Sequence, residues 1–129
     1  MPERSRIFSI IPLEERYGYC RAVVVGDRII VSGTAPVWAD GSCDPDPGVQ
    51  ARRCFEIIEK ALVEAGSSLD DVVRTRMFVT DASYEEAVGI EHAKAVGLNP
   101  PATSMVVVAG LLDERWKVEI EAEAVKASS

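Results

Sequence analysis

The chain has few of the residues that metal and redox sites need. Among 129 residues it contains one histidine, His92, and three cysteines, Cys20, Cys43 and Cys54, with no CxxC motif. An odd number of cysteines with no histidine nearby in the sequence favours neither a zinc site nor a disulfide scaffold. There is also no Ser-His-Asp order and no glycine-rich phosphate loop. We therefore expect no metal and no cofactor.

Long apolar runs and basic clusters are missing as well. No stretch is long enough to span a bilayer, and the N-terminal "MPERSRIFSII" is too polar for a secretory signal. Fourteen basic and 21 acidic residues give a net charge of −7, which repels nucleic-acid backbones and anionic lipid. The one local basic cluster, Arg52 and Arg53, is too small to offset this charge. We expect a cytoplasmic protein of one domain, residues 1–129, with no nucleic-acid or membrane partner.

Turn and cap signals predict a hairpin followed by a helix. Residues Tyr19 to Gly33, "YCRAVVVGDRIIVSG", contain two β-branched runs around Gly26-Asp27, which indicates a β-hairpin. Asp46 and Pro47 are suited to a helix start, and Gly66 to its end, so a helix is expected from about Pro47 to Ala65. Its apolar stripe consists of Ala51, Phe55, Ile58, Leu62 and Ala65.

A second helix is expected from about Ser83 to Val96. Ser83 and Glu86 fit a capping box at its start. Gly89 weakens the helix, because glycine has a low helix propensity. The residues expected on its inner side are Ala87, Ile90 or His92, Ala93 and Val96.

Three further strands are indicated by β-branched content and alternation. The segment "DDVVRTRMFVTD" predicts one strand, and two more are expected over about Thr103–Leu111 and Lys117–Lys126. In the first, alternation places Val72, Arg74, Arg76 and Phe78 on one face and Val73, Thr75, Met77 and Val79 on the other. In the last, Val118, Ile120, Ala122 and Ala124 alternate with Glu119, Glu121 and Glu123.

This order of elements predicts an α+β sandwich, in which two helices cover one face of a mostly antiparallel sheet. The other face must meet water or another subunit. Apolar residues such as "MVVVAGLL" on an uncovered sheet favour an oligomer.

Carboxylates and arginines on the predicted strands are the candidates for chemistry. Any one of Glu119, Glu121 and Glu123 could act as a general base on water if it were partly buried, or all three could form a solvated face. Arg74 and Arg76 could clamp a substrate carboxylate, or they could pair with acids on the sheet. His92 fits a half-buried helix residue, and Ser32-Gly33 fits either a ligand contact or a plain strand end.

Four segments together resemble the RidA family, also called YjgF and historically labelled endoribonuclease L-PSP. They are "YCRAVVVGDRIIVSGTAPV", "VQARRCFEIIEKALVEAGSSLDDVVRTRMFVTD", "NPPATSMVVVAGLL" and "KVEIEAEAV". Their order and spacing match from about Tyr19 to Val125.

The resemblance implies a chorismate-mutase-like subunit in a homotrimer with a central barrel and clefts between subunits. It implies hydrolysis of small enamine or imine metabolites in those clefts, with an arginine clamping the substrate carboxylate. By position, Tyr19 matches the cleft tyrosine, Ser32-Gly33 the strand-end pair, and Glu119 the glutamate that positions water.

The chain departs from the family at the clamp. Where the deaminating branch has Pro-Ala-Arg-Ser, this chain has "PATS", so Thr103 replaces the arginine, and Met105 stands where a cysteine is common. A neutral hydroxyl cannot replace a bidentate ion pair, and Arg76 is the candidate for a relocated positive charge. The function expected is a hydrolase or deaminase, and the alternative is a trimer that binds a metabolite without turnover.

Overall fold

The computed structural model describes residues 3–9 and 11–127, which form one six-stranded sheet and three α-helices. Short 3₁₀ turns at Leu69–Asp71 and Ala82–Tyr84 precede one strand and one helix. In chain order the elements are β1 (Arg4–Ile7), α1 (Pro12–Tyr17), β2 (Ala22–Val25), β3 (Arg28–Thr34), α2 (Pro47–Glu64), β4 (Val72–Val79), α3 (Glu85–Val96), β5 (Ala102–Val107) and β6 (Val118–Val125).

The strands lie side by side in the order β1-β2-β3-β6-β4-β5. Every neighbouring pair is antiparallel except β4 and β5, which run parallel and are joined through α3. The predicted α+β fold with a mostly antiparallel sheet is therefore confirmed. None of the helices in the described part of the chain is long and apolar enough to cross a membrane.

The predicted hairpin and first long helix are present and have the expected causes. Gly26, with φ of 61°, makes the turn between β2 and β3, a conformation that favours glycine. The Asp46 carboxylate accepts hydrogen bonds from the backbone N–H groups of Gly48 at 2.8 Å and Val49 at 3.1 Å, which caps α2. Gly66 follows the last turn with φ of 82°.

Helices α2 and α3 cover one face of the sheet, and the core lies between them and β2, β3, β4 and β6. The opposite face, called the open face below, carries Glu119, Glu121 and Glu123 together with Arg74 and Arg76. The core residues that are nearly inaccessible include Ala22, Ile29, Ala51, Cys54, Ile58, Leu62, Val79, Val88, Val118, Ile120 and Ala124.

The start and inner side of α3 differ from the prediction. The helix begins at Glu85, and the Asp81 carboxylate caps the preceding 3₁₀ turn by accepting from the Ser83 N–H at 2.8 Å, so the capping box is wrong. Val88 and Glu91 are buried, whereas Ile90 is 49% exposed. Glu91 can be buried because Arg52 of α2 pairs with it at 3.0 Å.

Two strands and one helix also depart from the expected boundaries. At the start of β4 a register shift between Val72 and Arg74 buries Val72 and leaves Val73 47% exposed, which reverses the predicted faces there. Strand β5 ends at Val107, four residues before the predicted end. Helix α1, with Pro12 in its first turn, was not predicted at all.

Candidate functional site

Glu119 lies near the start of β6, opposite Phe78 of β4, and packs against the end of β3. The β3–β6 register shifts between Val31 and Thr34, so Ser32 and Gly33 leave the regular ladder. A Cβ atom placed on Gly33 would stand 3.2 Å from Oε2 of Glu119. The carboxylate thus lies directly over a glycine at a strand irregularity, where a larger residue would crowd it.

Burial raises the pKa of the Glu119 carboxyl above its ordinary value of 4.5. Two charges modify this effect: Arg21 lowers the pKa, and Glu121, two residues along the strand, raises it. A half-buried carboxylate with a raised pKa is a stronger base than an exposed one, which suits it to accept a proton from water.

Hydrogen bonds to backbone carbonyls hold Tyr19 and Ser32 in place. The Ser32 hydroxyl donates to the Cys20 carbonyl at 2.7 Å, and the Ser32 N–H donates to the Arg21 carbonyl at 2.9 Å. Tyr19 is half-buried, and its N–H donates to the Glu14 carbonyl at 2.9 Å. The structure thus places Gly33 beside Glu119, ties the adjoining Ser32 to the Cys20 carbonyl, and puts Tyr19 near Arg21.

Arg21 belongs to the same site and was missed by the sequence reasoning. It is only 8% exposed, and its Nη2 donates to the Gly33 carbonyl at 2.7 Å. Burial lowers the pKa of Arg21, while Glu14, Tyr19 and Glu119 oppose that effect. An arginine between Cys20 and Ala22, at the start of an otherwise apolar strand, was the one available signal.

Arg76 lies on the open face and is already paired. Its Nη1 forms an ion pair with Oε1 of Glu121. Together with Arg74 and Glu123 it lines an open depression of about 270 Å³, whose lining includes Ser32 but not Glu119. Arg76 is therefore close to the strand that carries Glu119, but a neighbouring carboxylate neutralises its charge.

Thr103 and Met105 lie on the helix side of the sheet, away from the open face. Thr103 is opposite Thr75, its hydroxyl meets the Thr75 hydroxyl, and His92 Nε2 is 3.4 Å away. Met105 packs against the core. Within one subunit Thr103 and Arg76 are thus on opposite faces, so the idea that Arg76 takes over the charge at Thr103 does not hold inside a single chain.

His92 occupies the half-buried helix position that the sequence suggested. Its Nε2 lies 2.7 Å from the Thr75 hydroxyl, and its ring packs edge-on against Phe55 with centroids 5.7 Å apart. Burial lowers the pKa of His92, so the neutral imidazole is favoured near neutral pH.

The thiols and acids of the described residues form no group of three or more metal-ligating side chains. The cysteines are free, with Cys20 and Cys54 buried. The Cys54 thiol donates to the Thr34 carbonyl at 3.2 Å, and burial raises its pKa far above the ordinary value. Cys54 therefore behaves as a core residue beneath the site rather than as a nucleophile.

Comparisons with known proteins find the same fold and similar sequences. The family model described as Endoribonuclease L-PSP matches residues 12–126. A crystal structure of a Mycobacterium tuberculosis member of the YjgF/YER057c/UK114 family is 41% identical, with a TM-score of 0.88, covering 95% of this chain and 99% of that one.

Curated relatives are similar over most of the chain. An uncharacterized protein of Streptomyces coelicolor is 35% identical over 124 residues, which cover 95% of this chain and 92% of that protein. The 2-iminobutanoate/2-iminopropanoate deaminase of Salmonella typhimurium is 36% identical over 117 residues, covering 84% and 87% of the two chains.

Proposed function

The chain belongs to the endoribonuclease L-PSP (RidA/YjgF) family, and on that premise we propose that it hydrolyses a small enamine, imine or related carbonyl metabolite. The observation that carries the proposal is the Glu119 carboxylate, half-buried over Gly33 with a raised pKa. Relatives named 2-iminobutanoate/2-iminopropanoate deaminase support the reaction class. The substrate itself is not specified by these observations.

The reaction needs a base and a means of holding water. Glu119 accepts a proton from water as the water oxygen bonds to the imine carbon. Nitrogen receives the proton held by Glu119 and then the proton of the added hydroxyl, the C–N bond breaks, ammonia leaves, and the carbon becomes a carbonyl. An enamine enters the same sequence after a proton moves to its carbon. No redox partner is required, because water and the imine supply all the atoms of the two products.

The remaining site residues are proposed to contact the substrate from two copies of the chain in a homotrimer. Tyr19, Ser32 and Gly33 would contact the substrate on the copy whose Glu119 acts as the base, and the position of Glu119 over Gly33 supports this. Thr103 and Met105, on edge strand β5, would face that site from a neighbouring copy. Arg76 would contact substrate only if its pair with Glu121 opened.

The direct test is ammonia release from a panel of imines generated in situ from amino acids. Wild type should accelerate release, and Glu119→Gln, which keeps the shape but removes the base, should lower the rate at least tenfold. Glu123→Gln is the matched control, because it removes a carboxylate from the same strand face but not the one over Gly33. Equal rates for wild type and Glu119→Gln across the panel would contradict the proposal.

A non-catalytic metabolite-binding trimer is the second candidate. The observation that favours it is Thr103, whose hydroxyl meets Thr75 and His92 instead of offering a positive charge. Binding of a keto or carboxylate compound raises the melting temperature of the protein. A thermal shift with no ammonia release from any imine would select this candidate over the hydrolase.

A further inference from the structure

Arg21 is a buried cation with an incomplete set of partners. Its Nη2 donates to the Gly33 carbonyl at 2.7 Å, but its Nε, also buried, has no hydrogen-bond partner among the described residues. Arg21 takes no part in the ion pairs that the described residues form. A buried charge with so few direct partners lowers the stability of the fold. A role in the neighbouring site would explain why Arg21 is buried there.

Gly33 links Arg21 to Glu119. Arg21 binds the carbonyl of Gly33, and the Glu119 carboxylate lies over the α-carbon of the same residue. The two charged groups therefore flank one residue of the β3 irregularity, with opposite signs. This arrangement both fixes the strand end and places a positive potential beside the carboxylate.

The groups around the pair come from several elements. Glu14 of α1 and Tyr19 lie near Arg21, Glu121 of β6 lies near Glu119, and the Cys54 thiol of α2 lies beneath both. Glu14 is engaged locally, because its carboxylate accepts from the Ser9 N–H at 2.9 Å. Glu121 is paired with Arg76. Within the described part of the chain, Arg21 is thus the one positive charge that acts on Glu119.

We propose that Arg21 is a positioning residue of this site, which holds the Gly33 carbonyl and keeps the Glu119 carboxylate ionised over Gly33. The inference rests on the proposed function for its consequence, since an ionised Glu119 is the form that takes a proton from water. The positive charge that supports Glu119 then comes from the same copy of the chain, and neither Thr103 nor Arg76 supplies it.

The test measures the ionisation of Glu119 directly. The Glu119 side-chain carboxyl is followed by carbon-13 NMR against pH in wild type, Arg21→Gln and Arg21→Lys, with Glu119→Gln to assign the signal. Removing a nearby positive charge should raise the pKa of Glu119 by roughly 1. Arg21→Lys keeps the charge and should restore most of the wild-type value. Arg28→Gln, at the other end of β3, removes a charge from the same strand without touching Gly33 and should leave the value unchanged.

Activity supplies a second readout. The acidic limb of the pH profile of ammonia release, where activity rises as Glu119 ionises, should move to higher pH in Arg21→Gln by the same amount as the NMR titration; a merely structural role would not cause this shift. A Glu119 titration in Arg21→Gln that matches wild type would overturn the inference.

If no imine is hydrolysed by wild type, the proposed function fails while the NMR result still decides the role of Arg21. If Arg21→Gln does not fold, the comparison of Arg21→Lys with wild type applies: the charge is kept, so a large change in the Glu119 titration would overturn the inference.

Discussion

At the scale of single residues, the Glu119 carboxylate is charged in a place where burial disfavours charge. Folding raises the pKa of the Glu119 carboxyl, so the protonated form favours the folded state. This contribution to stability is fully present below the ordinary pKa of 4.5 and is lost as pH rises through the pKa of the folded protein. Near neutral pH the ionised group therefore opposes folding, as groups kept for chemistry often do.

The Glu119→Gln variant should consequently be more stable than wild type at pH 7. We expect its melting temperature to rise by roughly 2 °C, and the difference to vanish below about pH 4.5. Thermal melts at matched protein concentration between pH 4 and 8 measure this. Glu123→Gln removes the same charge from the same strand and should not reproduce the gain. A Glu119→Gln variant less stable than wild type at pH 7 would show that the carboxylate supports the fold.

Gly33 should be required for chemistry more than for folding. An alanine methyl group there would meet Oε2 of Glu119 at 3.2 Å, and the end of a flexible side chain can shift at little cost. We expect Gly33→Ala to lower kcat/KM for ammonia release about tenfold, because a misplaced base loses its alignment, with little change in melting temperature.

Gly89 of α3 is the matched control for that substitution. A Cβ atom there meets nothing within 4 Å, so Gly89→Ala should raise the free energy of unfolding by about 0.5–1 kcal/mol and leave kcat/KM unchanged. Equal kinetic losses in both glycine variants would argue that the effect of Gly33→Ala is not local.

At the scale of elements, Gln50 connects α2 to the start of β6. It is 1% exposed, its Nε2 donates to the carbonyls of Asp44 at 2.7 Å and Arg115 at 2.9 Å, and its Oε1 accepts from the Lys117 N–H at 2.7 Å. Lys117 directly precedes β6, the strand that carries Glu119. The helix therefore fixes the strand end through one amide.

Gln50→Leu should be strongly destabilising. It leaves three backbone groups without their partner in a buried region, and we expect a loss of roughly 2–4 kcal/mol in the free energy of unfolding. Urea denaturation measures the loss, and Glu59→Gln, on the exposed side of the same helix, is the control. A loss below about 1 kcal/mol for Gln50→Leu would mean that other contacts hold the start of β6.

At the scale of the whole molecule, the open face is the feature that a single chain leaves unexplained. Ile30, 39% exposed, lies on it beside the paired Arg76 and Glu121. The adjoining edge strand β5 exposes Val106 by 43% and Val107 by 56%. Apolar surface of this kind on a sheet is typical of an interface between subunits, in accord with the proposed homotrimer.

The trimer can be tested by mass in solution. Light scattering should give about 42 kDa, three times the 14.0 kDa chain. Ile30→Glu should shift the mass toward the monomer, because it buries a charge in the proposed interface. Val63→Glu places the same charge on the outer side of α2, where the residue is 62% exposed, and should leave the mass unchanged. A wild-type mass of 14 kDa would contradict the trimer and the shared cleft together.

Elements with local signals form where the sequence predicts them, and elements that depend on distant partners do not. The hairpin at Gly26 and the helix after Asp46 were correctly predicted, because their signals act over a few residues. The start of α3 was misassigned, since Ser83 and Asp81 both offer caps and the local sequence does not choose between them. The faces of β4 were reversed at Val72 by a bulge that depends on the partner strand.

The amino-acid sequence was enough to locate the Gly26 turn, the Asp46 cap of α2, the alternation of β6 and, through the resemblance, the family. Three features appear only in the folded chain: Gly33 lies under Glu119, Arg21, just before β2, binds the Gly33 carbonyl, and Thr103 turns away from the open face. The reason is physical: turns and caps arise from neighbours in the chain, whereas the site depends on strand register and bulges, which are fixed by residues far apart in sequence.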